Sequence, residues 1–163
     1  MKVTSEAIHN EIIEDRYGKR GYQSAAFGMP NYSIPLRIEE APANTVSYAL
    51  ILEDKDAVPV CGFSWIHWIA ANIRRTEILE NESLNVMDFI QGVNSWISEG
   101  HLPSDVSCYG GMSPPDAPHV YELHVFALDK ILDLENGFYM NELYKAIEGH
   151  ILSQFTLKGR YEN

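Results

Sequence analysis

The sequence has no long apolar run. No stretch approaches the ~20 consecutive apolar residues that a helix needs to cross a hydrocarbon layer. The opening residues Met1 to Glu6 carry no apolar segment of the kind that directs secretion. The expectation is a cytoplasmic protein without stable membrane insertion. Cysteine is scarce: Cys61 and Cys108 are the two present, far from any Cys-x-x-Cys spacing. In a reducing compartment they are expected to stay thiols, and the sequons at Asn31 and Asn81 to stay unmodified. Basic residues are outnumbered, with 12 Lys and Arg against 23 Asp and Glu, for a net charge of -11. A field of that sign repels nucleic acid and anionic lipid at long range. A small anion still fits wherever amide N–H groups and histidines make a local positive concavity. Short catalytic motifs are missing as well. Gly62-Phe63-Ser64-Trp65-Ile66 starts like a Gly-x-Ser-x-Gly turn and lacks its second glycine. There is no dinucleotide or phosphate loop, no His-Glu-x-x-His and no clustered Cys/His set, so neither cofactor nor metal is expected.

What remains is ordinary globular chain. The 163 residues are 45% hydrophobic and 21% charged, which fits one domain over residues 1–163. There is no repeat, linker or low-complexity tract. Glycine and proline punctuate short apolar runs, a pattern of strands and turns. Three runs read as buried strands: Thr45 to Leu52, Trp65 to Ile73 and His119 to Leu128, all rich in β-branched and aromatic residues. Met140, Leu143, Tyr144, Ile147 and Ile151 recur at helical spacing and predict a helix from about Met140 to Leu152, with Glu142 near its positive end. A weaker helix is expected around Asn85 to Phe89. The fold class is mainly β, a two-sheet sandwich with a C-terminal helix.

The chemistry-bearing residues fall on those strands. Asp54 leaves its strand on the face of Tyr48, Leu50 and Leu52, ahead of the turn Lys55 to Pro59. His67 alternates with Trp65, Ile69 and Ala71. Alone, Asp54 reads as a turn residue and His67 as a hydrogen-bonded core histidine. His119 and Tyr121, two apart, share one strand face, whereas His124 points to the other and cannot pair with His119 around a metal. Upstream, Tyr109 to Pro118 (with Gly110-Gly111 and Pro114-Pro115) forms a stiff, bent loop whose amides could face an anion.

In this order the pieces resemble the phosphatidylethanolamine-binding-protein family, in its small bacterial and archaeal Raf-kinase-inhibitor-like branch. The resemblance runs from Ser33-Ile34-Pro35-Leu36 through the Asp54-Lys55-Asp56-Ala57 turn and His67-Trp68 to His119-Val120-Tyr121, and on to Ala146-Ile147-Glu148-Gly149-His150 and Leu157-Lys158-Gly159-Arg160-Tyr161. It implies a Greek-key β-sandwich of two sheets rich in antiparallel pairs and a C-terminal helix. It also implies a pocket for a small anion such as phosphate or a phosphorylated head group. The ligand-binding set it implies is Asp54, His67, Ser113, Pro115, His119 and Tyr121. Lys55 and Val58 stand where the family has prolines, and Val120 where it has an arginine. The reading is a non-catalytic binding protein that could regulate a protein partner such as a kinase, and a homodimer is expected. The alternative is a hydrolase or isomerase using Asp54, His67 and His119 as acid and base groups. Binding through charged imidazoles would weaken as pH rises through their titration.

Overall fold

The central strands are the apolar runs. A computed structural model describes residues 1–163. The strands are β1 (Lys2–Thr4), β2 (Ile8–His9), β3 (Ile12–Ile13), β4 (Leu36–Glu39), β5 (Ser47–Asp54), β6 (Trp65–Ile73), β7 (Glu77–Ile78), β8 (Ile90–Gln91), β9 (His119–Leu128) and β10 (Ile151–Tyr161). The helices are α1 (Val58–Cys61), α2 (Pro103–Val106) and α3 (Met140–Ile147). A seven-stranded sheet runs β2-β3-β10-β9-β5-β6-β8, and a three-stranded sheet runs β1-β4-β7. Strand β5 sits deep in the large sheet, antiparallel to both β6 and β9, and every one of its residues is buried.

Both faces of the large sheet are covered, which is why its strands are apolar throughout. On one face Leu50, Leu52, Trp68, Ala70, Leu123 and Val125 pack with Val3, Leu36, Ile38 and Ile78 of the small sheet. On the other, Ala49, Ile51, Ile69, Ala71, Phe126 and Leu128 pack against Leu143 and Ile147 of α3. The result is a mainly β two-sheet sandwich with a helix late in the chain.

Three expectations need correction. The helical stripe ends early: α3 stops at Ile147, Gly149 turns the chain with φ 79°, and Ile151 begins β10 instead of a fourth helical turn. Met140, Leu143 and Ile147 face the sheet, while Tyr144 remains exposed. Asn85 to Phe89 is not helical. One 3-10 turn closes at Asn85, and the chain then extends into β8, whose Ile90 pairs with Ala71. The first predicted strand is also shifted, running from Ser47 through Asp54, so that Asp54 is a ladder residue opposite Tyr121 and Trp65.

The two cysteines are free thiols in unlike places. Cys61 is exposed, whereas Cys108 is buried, and burial pushes its thiol up to about 11. Maleimide added to the native protein should therefore label Cys61 quickly and Cys108 only after unfolding. Equal native labelling of both, read by peptide mass, would contradict this placement.

Candidate functional site

Four of the predicted residues come together at one end of the large sheet, and a strand irregularity decides how. The register between β5 and β6 slips between Leu52 and Glu53: Leu52 faces Trp68 but Glu53 faces Ile66. One extra residue, His67, is accommodated in a β-bulge. Alternation predicted His67 on the face of Ile69 and Ala71. Those two pack toward α3, whereas His67 looks into a cavity shared with Asp54.

Two groups hold the Asp54 carboxylate. Its Oδ2 lies 2.7 Å from His119 Nδ1, and its Oδ1 accepts from the Ala57 amide at 3.2 Å. The neighbouring Asp56 accepts from the Val120 amide at 2.9 Å, tying the turn to β9. The turn is thus fixed by hydrogen bonds, despite Lys55 and Val58 standing in place of prolines.

His67 is buried, and its Nδ1–H donates to the Gly110 carbonyl at 2.8 Å. That bond fixes the tautomer and leaves Nε2 with its lone pair while the ring is neutral. Burial holds the ring neutral, pushing its pKa down to about 4. The two glycine amides serve the fold and are unavailable to a ligand. Gly110 N–H donates to the His67 carbonyl at 2.8 Å and Gly111 N–H to the Pro30 carbonyl at 2.7 Å. Gly110 is required there because a Cβ would stand 2.5 Å from the Trp96 ring.

His119 has both ring nitrogens engaged: Nδ1 by Asp54, and Nε2 by Asp116 Oδ1 at 2.9 Å. Burial would lower its pKa, but the bond and charge of Asp54, and then those of Asp116, prevail and raise it above the usual value. With both ring nitrogens engaged, His119 can donate directly to an anion only where one of these carboxylates gives way.

Tyr121 is buried, and its hydroxyl has no hydrogen-bond partner. It lies against Asp54 and the Ser113 amide; burial first, and then the charge of Asp54, raise its pKa. Its ring meets His67 edge-on at 5.1 Å. Val120 and His124 point away from this group. Val120 is exposed, and His124 bonds Thr156 and Glu53 on the opposite face.

The cavity itself has a volume of about 340 Å³ and is lined by Asp54, His67, Ser113 and Pro115 together with Phe27, Trp65, Trp96, Ala57, Val60, Cys61 and Glu99. His119 and Tyr121 stand behind this lining. The Trp65 indole N–H is a second buried donor without a partner. Trp65 and Trp96 meet edge-to-face at 5.3 Å. The lining contains the carboxylates of Asp54 and Glu99 and no lysine or arginine.

Sequence reasoning missed Trp65, Glu99 and Asp116. Asp116 could have been found: it lies three residues before His119 in a proline-framed loop that must turn back on the strand. Elsewhere, Glu53, Glu122 and His124 bring ligand atoms within 4.8 Å of one another, the arrangement a metal would use. There Lys55 and Lys158 already neutralise Glu122, at 2.5 and 2.7 Å. No helix of the chain is long and apolar enough to cross a membrane.

Comparison with known proteins agrees with this architecture. The family model described as Phosphatidylethanolamine-binding protein matches residues 3–162. The uncharacterized protein YxkA of Bacillus subtilis is 40% identical, over 97% of this chain and 97% of that protein. Among solved structures, a putative phosphatidylethanolamine-binding protein homolog, CT736 of Chlamydia trachomatis, superposes with TM-score 0.79 at 31% identity, covering 99% of this chain and 96% of that one. The Escherichia coli protein YBCL has the same fold, with TM-score 0.79 at 23% identity over 99% of this chain and 98% of that one. The chain belongs to the phosphatidylethanolamine-binding protein family.

Proposed function

We propose that this family member is a non-catalytic binding protein whose cavity takes the oxyanion end of a small ligand, such as phosphate or a phosphorylated head group. The observation that carries this reading is the Tyr121 hydroxyl, buried and without a partner beside Asp54 and Ser113. A buried hydroxyl left unpaired costs free energy that a ligand acceptor would recover. The Trp65 N–H is a second unpaired donor, on a residue of the cavity wall. The neutral His67 ring offers Nε2 as an acceptor, which suits a singly protonated phosphoryl group. Glu99 and the two tryptophans at the wall suit a cationic end on the same ligand.

Catalysis is the weaker reading. His119, the obvious base, is already committed to two carboxylates. The thiol of Cys61 on the cavity wall contacts the carbonyls of Ala57 and Phe63 and no general base.

A phosphoethanolamine titration followed by NMR tests the binding reading. The ligand should shift resonances of Tyr121, His67 and Trp65. Tyr121→Phe, which removes one hydrogen bond to a charged group, should weaken binding roughly ten- to a hundredfold. Equal affinity of the variant and the parent would sink the reading. The pH dependence also differs from the one the sequence suggests. With His67 neutral down to about pH 4, affinity for a fully ionised oxyanion should keep rising as pH falls below 6, with no plateau there.

A further inference from the structure

His119 stands behind the cavity beside Asp54, yet both of its ring nitrogens are covered by carboxylates of its own chain. Asp116 Oδ1 sits 2.9 Å from His119 Nε2, while Asp54 holds Nδ1 at 2.7 Å. The two carboxylates differ in kind. Asp54 is buried in the sheet and cannot leave without breaking it. The Asp116 side chain is 59% exposed and belongs to a loop of exposed residues, Pro115 to Pro118. Its removal would break no ladder bond. A carboxylate on an imidazolium N–H is chemically what a bound phosphate or carboxylate ligand would be.

The geometry points to Asp116 as a specificity-determining residue: an internal stand-in for the ligand's oxyanion, exchanged when an anion binds to His119. The inference rests on the oxyanion reading of the cavity and adds the route by which an acidic cavity admits an anion. With Asp116 seated, an incoming anion meets Asp54, Glu99 and Asp116, and no free cationic donor. In the exchange the His119 Nε2–H bond to Asp116 breaks and one to the ligand oxygen forms. The imidazolium keeps two anionic partners throughout, so the buried charge is never left unpaired. Asp116 then swings into water, and Pro115, which lines the cavity beside it, follows. Neutral ligands gain nothing from the exchange, so Asp116 sets a threshold that only an anion passes.

Phosphate titrations of the parent, Asp116→Asn and Asp116→Ala, read by histidine-ring and tyrosine NMR, test this. Without phosphate, the His119 titration midpoint should fall in Asp116→Ala, which reports the contact in solution. With phosphate, His119 Nε2 should respond in the parent. Asp116→Ala should then bind roughly two- to tenfold tighter, in the range expected for losing a solvent-screened competitor, and Asp116→Asn should fall between the two. If Tyr121 and His67 respond to phosphate in all three proteins but affinity is unchanged or weaker without Asp116, the exchange is wrong and the cavity reading stands. If Tyr121 and His67 fail to respond in any of them, the cavity reading fails and takes the exchange with it.

Discussion

Replacing Asp54 by alanine is expected to destabilise the fold by about 3–5 kcal/mol, the range for removing one partner of a buried ion pair. His119 and Asp54 are both almost fully buried and lie 2.7 Å apart. The substitution would leave a protonated imidazole in the sheet with only the exposed Asp116 to balance it, and would release the Ala57 amide as well. Urea unfolding of the single and double variants checks it. Asp54→Ala should lower the midpoint strongly, and adding His119→Ala should then cost far less than His119→Ala costs alone, because the charge is already unpaired. Additive losses, or a loss for Asp54→Ala below about 1 kcal/mol, would show that the pair is not coupled as described. The penalty should also depend on pH. His119 titrates higher folded than unfolded, so its stabilising contribution is complete below about pH 6.5 and is lost as pH rises through the folded value.

The second large effect has the opposite sign with pH. His67 is neutral in the fold down to about pH 4, whereas an unfolded histidine takes up its proton near 6.5. Between those values the unfolded chain binds more protons, and stability falls as pH falls, by ~3 kcal/mol across the window. Below it Glu53 takes over. Its carboxyl is held down to about 2, chiefly by the hydrogen bond from His124. Measured urea stabilities at a series of pH values should decline between 6.5 and 4, and the slope in that interval should flatten in His67→Asn even though the variant is less stable throughout. An unchanged slope would place the acid sensitivity elsewhere.

Much of this arrangement was legible in the sequence because strands have period two. Tyr48, Leu50, Leu52 and Asp54 fall on one face of the sheet, and His119 and Tyr121 fall on the same face, since Asp54 pairs directly with Tyr121. Parity also sent His124 and Val120 away from the site, where the structure has them. Parity failed at His67 because a one-residue bulge inverts every assignment beyond it, and no residue type in Trp65-Ile66-His67-Trp68 announces the bulge. The helical stripe misled at Ile151 because an apolar residue two past a left-handed glycine serves a strand as well as a helix. Strand β10, between β3 and β9, was unread as a strand because its half-buried residues mix polar and apolar types without clean alternation. Asp116 was passed over because loop carboxylates are usually solvated; what gives this one a partner is the short return of the chain to His119.

The central claim is that the unpaired Tyr121 hydroxyl marks an oxyanion site. A crystal of the protein soaked in phosphoethanolamine tests it most directly. The account predicts a phosphoryl oxygen within hydrogen-bonding distance of Tyr121 Oη, in the cavity between Asp54, His67 and Ser113, with the ammonium toward Glu99 and the tryptophans. A head group bound elsewhere, or one in the cavity with its ammonium end innermost and Tyr121 still unpaired, would contradict it.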